Sequence, residues 1–226
     1  MKISVCIPTY EMAGHGAAFL LRALESIKQQ TIKDLEVVVS DHSENEEIRD
    51  ICKNSDLDVK YLKNSNNRGS SSANINNAVQ NASGDYIKIL FQDDYLCRTD
   101  CLEKVLSEFE SGAGWVVVGT IHTTDGVNFY NPIKPKYHEK IYLGENTISS
   151  PSVIAIKNEK PLLFDEKLSW LMDVEYYKRL YDKYGLPNIV KDALVVNTLW
   201  EGQISNTRIT KDLVDKEVEY VRQKHE

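Results

Sequence analysis

The stretch Leu35-Glu-Val-Val-Val-Ser-Asp-His-Ser43 decides how this chain folds. Its first six residues, LEVVVS, form a near-continuous apolar run that ends in polar residues. Such a run suits a strand in a parallel sheet covered on both faces. Upstream lies Ile3-Ser-Val-Cys-Ile7, a short β-rich run stopped by Pro8. Between the two, Phe19, Leu20, Ala23, Leu24 and Ile27 recur at helical spacing across residues 17–30.

Downstream the alternation continues. Residues 44–53 read as a helix, Val59 to Leu62 as a third strand and Ser70 to Ala82 as a helix stopped by Gly84. Asp85 to Phe91 reads as a fourth strand. Strand and helix alternating over the first 95 residues predict an α/β fold with a Rossmann-like, mostly parallel sheet flanked by helices. In such sheets, ligands bind beyond the C-terminal ends of the strands.

The second half is less regular. Residues 99–110, 170–184 and 210–224 read as helices. Residues 114–119, 151–157 and 189–196 read as strands, and 121–150 as hairpins and loops. With no repeat and no clear linker, residues 1–226 are expected to form one domain.

Composition narrows the function. A net charge of −7 gives no general attraction to nucleic acid. The longest apolar runs are far too short for a membrane span, and the N-terminus lacks a signal core. A cytoplasmic protein is expected. Cys6, Cys52, Cys97 and Cys101 form no CxxC pair, so reduced, packing thiols are expected. Cys97 and Cys101 fall short of the four ligands of a structural zinc site. His122 and His138 read as packing or surface residues.

The strand ends carry the chemistry. The first ends in Pro8-Thr9-Tyr10-Glu11, the second in Ser40-Asp41-His42-Ser43 and the fourth in Gln92-Asp93-Asp94. A parallel sheet brings all three to one edge. Three carboxylates there call for cations, and a divalent metal that also binds substrate phosphate meets the need. Asp41 can instead accept hydrogen bonds from a base or ribose. The bland alternative makes Asp93 and Asp94 caps of the next helix, although Thr99 or Asp100 stands closer to its start. The run Gly14-His-Gly-Ala-Ala-Phe19 lacks the third glycine of a dinucleotide fingerprint and stands too far from the first strand.

Taken in order, SVCIPTYE (4–11), LEVVVSDHS (35–43), NNRGSSSANINNA (66–78), ASGDYIKILFQDD (82–94) and WLMDVEYYKRL (170–180) resemble the family 2 glycosyltransferases of the GT-A fold. The resemblance implies a nucleotide-sugar donor (a UDP-sugar favoured), a divalent cofactor (Mn²⁺ or Mg²⁺), a hydroxyl acceptor and inversion at the anomeric carbon. Residues 1–95 become the nucleotide-binding half and 96–226 the acceptor-binding half. Pro8, Thr9, Tyr10 and Glu11 match the loop lining the base, and Asp41 the acid that contacts it. Arg68, Gly69 and Asn76 match the segment beside the nucleotide. Gln92, Asp93 and Asp94 match the DxD-type element, with Gln92 in place of its first acid and Asp94 as metal ligand.

Asp173 matches the catalytic base, with Met172 where the family usually has Glu. A carboxylate there takes the proton of the attacking hydroxyl. Glu175 is a second candidate that should face elsewhere on the helix. Trp170 can stack on an acceptor sugar or fill the core. Gln203 and Ser205 lie in a late polar segment near the pyrophosphate in relatives, and 121–150 or 199–208 can supply a lid. A nucleotidyltransferase is the rival enzyme, but Pro-Thr-Tyr-Glu stands where it needs a glycine-rich basic loop. A binding module on a decayed scaffold is the non-enzymatic rival.

Overall fold

A computed structural model describes residues 1–226, the side chain of Ile204 excepted. Strands β1 (Ile3–Thr9) and β2 (Leu35–Asp41) are buried along their whole length, as continuous apolar runs demand. Each valine of Val37-Val38-Val39 is fully enclosed, which contributes about 2 kcal/mol per side chain. Strand β3 (Val59–Lys63) forms the half-exposed edge. Helices α1 (Gly16–Lys28), α2 (Glu47–Lys53) and α3 (Ser71–Gln80) connect these strands and β4 (Tyr86–Ile89). Ser70 caps α3 by accepting from the Ala73 N–H at 3.1 Å.

The remaining elements are β5 (Tyr95–Leu96), α4 (Cys101–Glu110), β6 (Trp115–Thr123), β7 (Phe129–Ile133), β8 (Ile154–Lys157), α5 (Met172–Tyr184), β9 (Asn188–Thr198), α6 (Ile204–Thr207) and α7 (Lys211–His225). The sheet runs β3-β2-β1-β4-β8-β6-β9-β5, with β7 beside β6. Strands β1 to β4, β6 and β9 share one direction, and β5, β7 and β8 oppose it. Both halves of the sequence therefore contribute to one sheet.

Two features open a crevice in it. The β1–β2 ladder continues to Thr9↔Asp41, whereas the β1–β4 ladder stops at Cys6↔Ile89. Pro8 has no N–H with which to prolong pairing. Beyond Ile89 the chain leaves the sheet, so the strand expected over 85–91 is shorter. Residues 90–94 then carry it to β5, which pairs with β9 at the far end of the strand order. So short a link requires the sheet to curl back, and the Asp93-Asp94 turn lies in the fold of that curl.

Other boundaries also differ. Residues 151–153 form a 3-10 turn before β8, because Pro151 starts a turn more readily than a ladder. Within 121–150, β6 runs on to Thr123 and pairs with β7 across a turn organised by the Asp125 carboxylate. The sequence reading did not foresee β5, which is two residues long.

Candidate active site

Asp94 is buried beneath the curl. Its Oδ2 accepts from Asn197 Nδ2 at 2.7 Å and from Ser150 Oγ at 3.2 Å, and its Oδ1 accepts from the Thr198 N–H at 3.2 Å. Asp93 Oδ2 accepts from the indole N–H of Trp200 at 3.1 Å and from Gln203 Nε2 at 3.5 Å. Among the described residues no ion pair relieves either carboxylate. Arg22 lies near but spends Nη2 on the Asp93 carbonyl (2.7 Å) and Thr198 Oγ1 (2.6 Å). Burial, followed by the adjacent Asp93 charge, pushes Asp94 up to about 7, and burial raises Asp93 as well.

Neither acid caps a helix. The residue before α4 is Asp100, which binds Arg98 at 2.8 Å instead. The capping alternative therefore fails. No cluster of three or more His, Cys, Asp or Glu among the described residues is arranged around a metal position. The carboxylates present still fit a divalent ion, because two adjacent buried carboxyl groups have no ion-pair partner among the described residues, with Arg22 Nη2 spent on the Asp93 carbonyl and Thr198. An ion with one or two protein oxygens, completed by phosphate and water, suits that donor set.

Asp41, at the end of β2, is fully enclosed. Oδ1 accepts from the Ser43 N–H (2.8 Å) and Thr9 Oγ1 (3.3 Å), and Oδ2 from Tyr61 OH (2.8 Å) with Lys63 Nζ at 3.6 Å. Three hydrogen bonds and one ion pair thus hold the carboxylate. Gln92 is equally committed. Its Oε1 accepts from the Tyr10 N–H at 2.9 Å and its Nε2 donates to the Gly16 carbonyl at 2.6 Å. It ties the loop after β1 to the start of α1. Gly16 permits this, since a Cβ there would lie 2.3 Å from the Tyr10 carbonyl oxygen. Glu11 accepts from the Glu44 N–H, joining the first two strand ends. Pro8 pairs in register with Ser40.

Arg68 donates to the His42 carbonyl (3.0 Å) and to Glu44 (2.7 Å), beside Gly69 at φ +88°. Asn76 lies apart from these, buried, holding the Phe164 carbonyl at 2.9 Å and Glu166 at 3.1 Å. It braces α3 against the 164–166 segment.

Asp173 is the second residue of α5 and borders solvent. Its Oδ2 accepts from Asn146 Nδ2 at 2.7 Å and its Oδ1 from the Val174 N–H at 2.7 Å. Close packing around it raises its carboxyl to about 7. Asn146 Nδ2 also donates to the Ser149 carbonyl (3.0 Å), and Ser149 Oγ donates to Asn197 Oδ1 (3.0 Å). One hydrogen-bonded path, Asp173–Asn146–Ser149–Asn197–Asp94, thus links the two acids. Asn146, Ser149, Ser150 and Asn197 escaped the sequence reading. They are ordinary polar residues in an irregular stretch and at a strand end, and no spacing marks them.

Glu175 is fully buried on another side of α5. It binds Arg179 through both oxygens (2.8 and 2.9 Å), Lys224 at 2.8 Å and His225 at 3.1 Å. Its carboxylate fastens α7. Trp170 is 39% exposed, just ahead of Asp173. Gln203 joins the Trp200 segment over Asp93, and Ser205 is exposed in α6. Arg208, which the sequence reading did not single out, is exposed beside the Arg68-Gly69 turn. A Cβ at Gly69 would lie 3.3 Å from its Nη1, and its charge reaches the Tyr10 hydroxyl, which Asp93 also influences. The four cysteines are free. His122 meets the Asn131 carbonyl of β7 and His138 the Glu145 carbonyl, each at 3.0 Å.

The family model of glycosyl transferase family 2 matches residues 4–169. The chain belongs to glycosyl transferase family 2. Its fold is GT-A, as in Staphylococcus aureus TarS 1–349 in complex with UDP-GlcNAc (TM-score 0.75, 19% identity, 96% of this chain and 65% of that one). It also resembles the mannosyltransferase PcManGT from Pyrobaculum calidifontis in complex with GDP-Man and Mn²⁺ (TM-score 0.61, 19% identity, 88% and 57% covered). A Campylobacter jejuni GalNAc(5)-diNAcBac-PP-undecaprenol beta-1,3-glucosyltransferase is 34% identical over 98 residues, 42% of this chain. The chain spans 30% of that relative's length and just under two thirds of the TarS fragment. No helix among the described residues is long and apolar enough to cross a membrane.

Proposed function

We propose that this chain, as one domain, transfers a sugar from a nucleoside diphosphate sugar, a UDP-sugar by preference, to an acceptor hydroxyl with inversion and with the help of a divalent metal. The observation that carries the proposal is the buried Asp93-Asp94 pair, two carboxyl groups at a strand-end crevice with no ion-pair partner among the described residues. Asp94, with Asp93 beside it, would hold Mn²⁺ or Mg²⁺. When bound, the metal neutralises charge on the departing diphosphate.

The base and ribose lie against Tyr10 and the Arg68-Gly69 turn; Pro8 and Thr9, buried in β1, support this wall from behind and do not line it. For Asp41 to accept from the base, Lys63 yields first, being the most solvated of its partners. Asp173 takes the proton of the acceptor hydroxyl. The acceptor oxygen bonds to the anomeric carbon as that carbon's bond to the diphosphate oxygen breaks, and attack from the opposite face inverts the centre. Asn146 holds Asp173 in line, and Trp170 offers the acceptor an apolar face. UDP in the TarS complex supports the choice of nucleotide, although GDP-Man in PcManGT makes guanosine donors the next to test. The Campylobacter relative's name supports a lipid-linked saccharide as acceptor class.

The test is nucleotide release from UDP-glucose, UDP-galactose, UDP-GlcNAc and GDP-mannose, with and without Mn²⁺. Metal-dependent release from one of them, lost in Asp173→Asn, is the expected result. No release from any donor by folded protein, with saccharide-lipid acceptors present, contradicts the proposal.

A further inference from the structure

Three consecutive backbone N–H groups ahead of α5 converge on one side chain from the last helix. Glu217 of α7 accepts from the Ser169 N–H at 2.7 Å, the Trp170 N–H at 2.9 Å and the Leu171 N–H at 2.8 Å. These donors belong to the turn that starts α5, where N–H groups have no partner within the helix. Leu171, at the cap position, cannot serve them with its own side chain. Glu217 is 4% exposed and has no cationic partner among the described residues. A carboxylate is kept buried there because the three donors and the positive helix end meet its charge.

The turn that Glu217 grips presents two candidate site residues. Trp170 projects from its middle, and Asp173 follows Leu171 by two residues. Beyond the grip, α7 is fixed at two further points. Lys224 and His225 bind Glu175 inside α5, and Tyr220 OH and Lys224 bind Asp165 at 2.8 and 2.5 Å. The helix is thus bolted to both ends of the segment that carries the base.

We infer that Glu217 is a positioning residue for the transfer reaction: from α7 it fixes the 169–171 backbone and so sets where Asp173 and Trp170 stand. The inference rests on the reading of Asp173 as the base. It assigns α7 a part in turnover and none in nucleotide binding, because the nucleotide crevice is built from the ends of β1, β2 and β4.

The experiment compares Glu217→Gln and Glu217→Asp with wild type and Asp173→Asn. In the Gln variant an amide N–H faces backbone N–H groups, so at least one of the three bonds becomes a clash of donors. The readouts are amide hydrogen exchange of Ser169 to Leu171, the Kd for UDP with Mn²⁺, and turnover of the donor that the wild type accepts. For Glu217→Gln, exchange at these amides rises at least tenfold, UDP affinity stays within twofold and kcat falls at least tenfold. Glu217→Asp recovers part of kcat. Unchanged exchange, or full kcat in Glu217→Gln while Asp173→Asn is inactive, overturns the role of Glu217 alone. A loss of kcat matched by an equal loss of UDP affinity also overturns it. Full activity of Asp173→Asn overturns the base assignment and this inference with it.

Discussion

The indole N–H of Trp200 donates to Oδ2 of Asp93 across 3.1 Å, and the same ring packs on His15 and Phe19 with centroids 5.5 Å away. The segment after β9 is thereby laid over the acidic turn after β4. The proposed binding of metal and diphosphate at Asp93-Asp94 would change the surroundings of this indole. UDP with Mn²⁺ should alter intrinsic tryptophan fluorescence. Trp200→Phe should abolish most of the change, while Trp115, buried in β6, stays silent. A change of equal size in Trp200→Phe would separate this segment from donor binding.

What the sequence disclosed depended on how local the cause was. The buried run in β2 and the polar residues closing β1, β2 and β4 are consecutive in the chain, so sheet polarity alone brings them together. Asp173 stood out only through resemblance. Asn146, Ser149 and Asn197 join it to Asp94 through contacts made when the sheet curls, and no spacing records that. Gln92 and Asn76 show the converse. Both fall inside recognised motifs, yet their side chains are spent on backbone groups and on Glu166. Glu217 sits in a mixed-charge helix that reads as solvated until α7 is seen against α5.

The environment of Asp173 predicts a pH dependence. Its carboxyl is raised to about 7, so the ionised form that the proposed base needs is lost as pH falls through that value. The turnover rate should drop about tenfold per pH unit below 7. Asp173→Asn should lower kcat by about 10²- to 10⁴-fold at pH 8 and leave UDP affinity unchanged. A rate that stays flat down to pH 5.5 would argue for another base.

Glu175 bears on stability. Glu175→Gln leaves Arg179, Lys224 and His225 around a neutral amide, and breaking such a buried pair costs about 3 kcal/mol. Urea denaturation should show a lower midpoint, with UDP affinity retained by the folded fraction. Stability within about 0.5 kcal/mol of wild type would mean that α7 is held by other contacts.

Lys88 of β4 is fully enclosed and donates to the carbonyls of Ile89 (2.7 Å) and Ser152, with no carboxylate bound to it. Burial lowers it from 10.5 to about 7. Between those values the unfolded chain binds a proton that the folded chain does not, so this group's contribution to stability rises with pH there. The stability difference between wild type and Lys88→Met should move in favour of wild type by about 2 kcal/mol from pH 7.5 to 9.5. A difference independent of pH would show that Lys88 stays charged in the fold.

The acids after β4 are proposed to hold a nucleoside diphosphate through a metal. The decisive measurement is calorimetric titration of UDP into wild type and Asp94→Ala, each with and without Mn²⁺. UDP binding to wild type that requires Mn²⁺ and disappears in folded Asp94→Ala is the predicted result. Metal-independent UDP binding, equal in both proteins, would contradict it.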